Sequence, residues 1–348
     1  MNYPFPTRRR ALALAGAVGL GSMALASCGD PSRQMTSADA SSAAPLTLSL
    51  ASSLDPQHVT SKALAAFASE VEERSEGRLR ISMFDSGQLG SEPQVLGQLR
   101  QGIVDMTRVG SPGLAAWNPG YHAFGLPYVF DSEEHYYAAL DSDAMQSFFT
   151  SNEDAGLLGL TYFTSGARSF YTGSTPVRTP ADAAGLKIRI QDMRTQVRMM
   201  SALGASPIVM AFGDIYTALQ TGLIDGAESN ETALDQSGHG EVAKCFSLTE
   251  HTRIPDLLTI GTPAWERLDE QDRATLRDAA QAATEKHKKD WATSIEESYS
   301  AAAEMGVEFI KDVDLEAFRE ATREVVDEFG ADFPEVADVL AIIDQARG

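Results

Sequence analysis

Residues 186 to 230, LKIRIQDMRTQVRMMSALGASPIVMAFGDIYTALQTGLIDGAESN, read as strand, helix, strand, helix, strand. Leu186, Ile188 and Ile190 alternate with Lys187, Arg189 and Gln191, so the two sets leave opposite faces of a strand. Pro207 to Phe212 is a short apolar run, Asp214 is placed to cap the next helix, and Gly222 to end it. Such βαβ units make open parallel sheet, whose strand ends surround a crevice where ligands bind. Arg189 lies on the face that the apolar residues do not use. An arginine aimed into that crevice suggests an anionic ligand. Gln191, two residues further on, shares its face.

The extreme N-terminus is predicted to be a signal segment rather than part of the fold. Residues 1 to 27 hold Arg8, Arg9 and Arg10, then an apolar run from about Ala11 to Ala26, and no acidic residue. That run is too short and too terminal for a membrane span and has the form of a secretory signal. Thr7-Arg8-Arg9 followed by Leu12 also fits a twin-arginine signal loosely. Leu25-Ala26-Ser27-Cys28 matches a lipobox, which would make Cys28 the lipidated first residue of the processed chain. The alternative is cleavage at a plain small-residue site. Residues 28 to 45 are rich in Ser, Ala, Asp and Thr and read as a lipid-anchored flexible tether.

What remains, about 300 residues, is enough for two domains with substantial cores. The formal net charge of −21 argues against nucleic-acid partners and against electrostatic adhesion to anionic lipid. With Cys28 set aside, Cys245 is the one cysteine left, so no intrachain disulfide forms; it is expected as a buried small hydrophobe.

A second α/β alternation precedes the first. Leu46 to Ala51 is a strand candidate, Ser61 to Ser75 an amphipathic helix, and Leu79 to Phe84 a strand. A helix over about Glu92 to Gln101 and a strand over Val104 to Val109 follow, the latter interrupted by Arg108. From Ala264 to about Met305 few residues break a helix, with an inner cap and turn at Asp269 to Asp272; that length suggests a helix lying across both domains. Phe318 to Phe329 and Pro334 to Arg347 look like closing helices. The pattern is α/β in two domains, the first comprising 46–166 plus about 253–295 and the second 167–252 plus about 296–348.

Several phrases carry a resemblance: GQLGSEPQVLGQLRQGIVDM (87–106), GLPYVF (125–130), GLKIRIQ (185–191), ALGASPIVMAFGDIYTALQTGLIDGAES (202–229) and HTRIP (251–255). Residues 46 to about 310 resemble the extracytoplasmic solute-binding subunits of tripartite ATP-independent periplasmic (TRAP) transporters, the DctP-type family. The resemblance implies a two-domain periplasmic-binding-protein type fold with crossing segments and a long interdomain helix, and a ligand closed between the domains. It implies that Arg189 holds the ligand carboxylate by two parallel charge-assisted hydrogen bonds and that Arg168, in SGARSFY, assists. Where the family usually has Asn after Glu in "DGxEN", this chain has Ser229 followed by Asn230, so Asn230 or a water would replace that contact. The stretch ESNETALDQSGHGEVAKCFSLTEHTRIPDLLTI is most similar to the branch that includes sugar-acid (hexuronate) binders.

A polyhydroxy acid needs one carboxylate clamp and groups for its hydroxyls, for which Gln191, Asn230, Arg108 and Asp55 are candidates. Glu92 either caps its helix or touches ligand. Phe170 either stacks on a sugar face or packs in the core, and Tyr216 either packs its helix on the sheet or reaches the ligand. His239, Glu241 and His251 lack the spacing of a metal site, and neither metal nor cofactor is expected. No GxSxG elbow, Walker loop or HExxH occurs in the folded part, so a non-enzymatic binding protein is the better reading. Its partners would be the ligand and the membrane permease subunits. A C4-dicarboxylate, keto acid or aromatic acid is the alternative ligand; a surface-tethered sugar-acid enzyme or a sensor is the alternative class.

Overall fold

The computed structural model describes residues 44–151 and 155–347. The signal segment, Cys28 and the tether up to residue 43 lie outside the described residues. In chain order the strands are β1 (Leu46–Ala51), β2 (Leu79–Phe84), β3 (Met106–Gly110), β4 (Leu157–Phe163), β5 (Arg168–Thr172), β6 (Lys187–Ile190), β7 (Ser206–Val209), β8 (Gly226–Ser229), β9 (Cys245–Thr252), β10 (Asp256–Gly261) and β11 (Glu308–Ile310). They build two sheets, ordered β2-β1-β3-β10-β4 and β11-β9-β5-β8-β6-β7. In the first, β1 runs parallel to β2 and β3, and β10 lies antiparallel between β3 and β4. In the second, β6 is parallel to β7 and β8, while β5 is antiparallel to β8 and β9. Each sheet is the floor of one lobe.

Local sequence explains the lobes. In the first, Leu48 and Leu50 of β1 are fully buried against Leu64, Phe67 and Val71 on one stripe of the helix Val59–Arg74. That helix starts two residues earlier than the pattern suggested, because the ring Nδ1 of His58 accepts the Thr60 N–H at 3.1 Å and caps it. In the second, Ile188 and Ile190 face Met199, Met200 and Phe318, which places Arg189 on the other face. Asp214 makes no capping hydrogen bond; the chain enters the helix Ile215–Gln220 through a 3-10 turn at Phe212–Asp214 instead.

Two short segments, 164–167 and 253–255, carry the chain between the sheets. Asn230 Nδ2 donates to Ser165 O at 2.8 Å, and the Ser165 hydroxyl donates to Ile254 O. Gly166 has φ +62°, and a Cβ there would lie 3.1 Å from the Trp291 ring, so only glycine lets the crossing rest on that indole. Trp291 belongs to the helix Glu270–Glu304, whose 35 residues span about 52 Å and are capped by the Asp269 carboxylate on Asp272 N–H. Leu276, Ala279, Ala280 and Ala283 pack into the first lobe, and Ala302 into the second. No described helix is long and apolar enough to cross a membrane.

The C-terminal helices divide differently from the boundaries read in the sequence. Phe318 of Leu315–Asp332 is buried in the second lobe with Phe170 and Ile188. Val325 and Phe329, and then Val336, Val339 and Ile343 of Pro334–Gln345, pack with Tyr121, Phe124 and Phe149 in the first lobe. Residues beyond about 322 therefore bury their apolar side chains in the first lobe, while Glu328 accepts from Arg198 of the second-lobe helix Arg194–Ala202 at 2.6 Å. An apolar stripe shows that a helix packs, but the identity of its partner depends on contacts far away in sequence.

Candidate ligand-binding cleft

The C-terminal ends of β1, β2 and β3 face those of β6, β7 and β8 across a cleft of about 970 Å³. Parallel strands end there without a further ladder, leaving backbone groups and side chains available to a ligand.

Four arginines line this cleft, and they differ in what already holds them. Arg108 is buried between two carboxylates: Nη1 donates to Glu92 Oε1 at 2.6 Å and Nη2 to Asp256. Glu92 also accepts from the Ser53 hydroxyl at 2.9 Å. Arg108 and Glu92 thus satisfy one another at the cleft wall, although Arg108 Nε is buried without a partner. Arg168 is committed more completely. Its Nε donates to Glu228 Oε2 at 2.6 Å, and Nη2 donates both to Oε1 at 2.8 Å and to the Glu228 carbonyl at 2.6 Å. Only Nη1 remains, a single donor group rather than a fork. Burial opposes the charge on Glu228, but Arg168 and then His251 outweigh it and hold the carboxyl down at about 2.

Arg189 is arranged in another way. Nε and Nη2 both donate to Met210 O, at 3.0 and 2.8 Å, which fixes the plane of the guanidinium and leaves the Nη1/Nη2 edge open. Among the described residues it forms no ion pair with a carboxylate, yet it is only 3% exposed. Burial pulls its pKa below the ordinary arginine value, Tyr171 and Glu228 oppose that, and Arg168 adds to it. A buried cation without a counter-ion is what a carboxylate ligand would satisfy. The fourth, Arg194, starts the helix Arg194–Ala202 and stacks on aromatic rings.

Beside these, Ser229 closes β8 and lines the cleft, as do Gln191 and Asn230. Gln191 Oε1 is buried with no hydrogen-bond partner. Asn230 is drawn into a chain that joins the lobes. Because Nδ1 of His58 is the acceptor for Thr60 N–H, Nε2 carries the proton and donates to Thr232 Oγ1 at 3.1 Å. The Thr232 hydroxyl in turn donates to Asn230 Oδ1 at 2.6 Å. His58 stays neutral, its pKa lowered to about 3 by burial and then by Arg108. Nothing in the sequence near His58 signals this role, which depends on a partner 174 positions away.

Three sequence-based candidates lie elsewhere. Asp55 is exposed and accepts Gln57 N–H at 2.8 Å, holding the turn before the first helix rather than reaching the cleft. Phe170 is fully buried: β5 is an inner strand of a sheet packed on both faces, so Phe170 joins one core and Tyr171 the other. The Tyr216 hydroxyl donates to Glu241 at 2.7 Å, away from the cleft. Conversely, Arg194, Trp117, His122 and Phe333 line the cleft without having been singled out. Their signal was absent because they meet only when the C-terminal helices fold back on the first lobe.

Next to Asn230, Glu231 accepts from the Tyr299 hydroxyl of the long helix at 3.1 Å. Burial above all raises its pKa from 4.5 to about 7. An acid whose folded pKa is raised loses folded-state stability as pH climbs from the unfolded value toward the folded one. Stability is therefore expected to fall by roughly 3 kcal/mol between about pH 4.5 and 7 through this group. Glu231→Gln should flatten that slope in thermal melts taken across pH and leave the variant the more stable at pH 8.

A model of the bacterial extracellular solute-binding proteins of family 7, DctP, matches residues 50–332. A solute-binding protein from Chromohalobacter salexigens is 33% identical over 292 residues, covering 84% of this chain and 87% of its own length. A TRAP periplasmic solute-binding protein from Anaerococcus prevotii, solved with bound α/β-D-glucuronate, superposes with a TM-score of 0.84 at 34% identity, over 86% of this chain and 98% of that one. Its counterpart from Bradyrhizobium, in complex with α/β-D-galacturonate, gives a TM-score of 0.82 at 34% identity, over 86% and 99%. A two-lobed α/β chain whose strand ends enclose a cleft, matched by that model over most of its length, belongs to the DctP family of extracellular solute-binding proteins that serve TRAP transporters.

Proposed function

We propose that this protein captures a hexuronate, D-glucuronate or D-galacturonate, by placing its carboxylate on the open edge of Arg189, and delivers it to the membrane permease of a TRAP system. The observation that carries the reading is the buried Arg189 guanidinium, fixed by Met210 O and without a carboxylate of its own. Gln191 and Ser229 border the same cleft and suit the hydroxyls of a sugar acid, and Asn230, whose Oδ1 already accepts twice from Thr232, keeps one N–H for them. The hexuronates in the Anaerococcus and Bradyrhizobium structures support the ligand class. Capture works by hinge closure: a ligand that touches both lobes binds the closed arrangement better and shifts the population toward it. Closure expels water, which strengthens the arginine–carboxylate attraction, and no covalent step stands in the way of release. The lipobox ending at Cys28 supports a form tethered by lipid to the outer face of the membrane.

A thermal-shift screen tests the ligand class, using hexuronates, aldonates, C4-dicarboxylates and keto acids. A ligand at a hundred times its dissociation constant adds about 2.7 kcal/mol and should raise the midpoint by several degrees. Shifts with hexuronates are expected. Shifts confined to dicarboxylates or keto acids would reject the sugar-acid reading. Recovery of unchanged hexuronate by mass spectrometry after long incubation is the expected result, and conversion to a product would favour the enzyme alternative.

A further inference from the structure

We propose that Arg194 is a second carboxylate-binding residue and that the cleft takes a polyhydroxy acid carboxylated at both ends, an aldarate. The inference rests on the reading of the cleft as a sugar-acid site. Arg194 is the first residue of its helix, where the positive end of the helix dipole disfavours a cation, so its presence there does not serve the helix. Its guanidinium stacks over Phe333 at 5.3 Å and Phe329 at 5.9 Å, rings supplied by the C-terminal helices on the first lobe. That shelf fixes the plane of the guanidinium while using none of its N–H groups. Among the described residues Arg194 makes no hydrogen bond through its side chain and no ion pair, Asp192 two positions earlier included. Arg194 is exposed where Arg189 is buried, yet both line the cleft and neither has a carboxylate partner among the described residues.

What lies between them fits the same ligand. Gln191 sits on the turn from β6 to the helix, between Arg189 and Arg194 in sequence, and its Oε1 is buried without a donor. Beside Phe333, His122 also lines the cleft, and its buried Nδ1 has no partner. The segment from 189 to 194 therefore offers a cation, a hydroxyl acceptor and a second cation in that order. A hexuronate has a carboxylate for only one of the two arginines. An aldarate has one for each, with hydroxyls between.

Calorimetric titration with galactarate and D-galactonate tests this, because the two acyclic acids differ only in whether the sixth carbon is a carboxylate. The expected result is that galactarate binds about 10- to 100-fold more tightly than D-galactonate. Arg194→Gln should erase most of that difference by weakening galactarate about 10-fold or more beyond any loss for D-galactonate, and Arg194→Lys should restore part of it. Equal affinity of the wild-type protein for the two acids would overturn the assignment, as would an equal loss for both in Arg194→Gln. D-galacturonate serves as the control: if it binds and galactarate has no advantage, only the second carboxylate site fails. If none of the three acids binds, the sugar-acid reading fails and this inference with it.

Discussion

Arg189→Ala is expected to weaken hexuronate binding by about 10²- to 10⁴-fold in calorimetry and to leave the thermal midpoint close to that of the wild type. The first expectation follows from the edge that Arg189 presents. Two charge-assisted hydrogen bonds to a carboxylate, at about 1.5–3 kcal/mol each, correspond to that range. The second follows from what Arg189 does without ligand. It is a buried cation held only by a backbone carbonyl, and burial already disfavours its charge, so its removal relieves desolvation while freeing Met210 O to water in the cleft. Arg189→Lys should bind nearly as poorly, because an ammonium cannot hold Met210 O along one edge and a carboxylate along another.

Glu228→Gln is expected to act the other way round, through stability before binding. Glu228 is fully buried and takes three hydrogen bonds from Arg168, two on its carboxylate and one on its carbonyl. Neutralising it leaves a buried guanidinium without a counter-charge, which destabilises by about 3–5 kcal/mol and should lower the midpoint by about 5–15 °C. Arg168→Met should destabilise comparably, and the double variant Arg168→Met/Glu228→Leu should recover much of the loss, because no lone charge remains in the core. Since the folded carboxyl titrates at about 2 against an ordinary 4.5, the pair's contribution is present above about pH 4.5 and lost as pH falls toward 2. Ligand affinity of the surviving folded protein measures what the remaining Nη1 of Arg168 adds.

The contrast between these two arginines marks where sequence reading succeeds and where it stops. The strand carrying Arg189 was legible because alternation of Ile188 and Ile190 with Arg189 is local, and the same residues decide its face. The partner of Arg168 was not legible. Glu228 reaches it through antiparallel pairing of β5 with β8, a register that links positions 60 apart. Phe170 shows a related limit: alternation separates it correctly from Tyr171, but both faces of β5 are covered, so neither ring meets the cleft. Asp55 lies one residue beyond the buried Leu54, and a strand-end position looked adequate until the turn claimed its carboxylate. The aromatic shelf under Arg194 depends on helices more than 130 residues downstream, and only the fold brings them there.

The most direct measurement is a crystal structure of the protein grown with D-glucuronate or D-galacturonate. The ligand is expected between the lobes, with both carboxylate oxygens within about 3 Å of Nη1 and Nη2 of Arg189 and with Met210 O still accepting from Nε. A hexuronate in the cleft whose carboxylate is held elsewhere, with no contact to Arg189, would contradict the role given to that arginine.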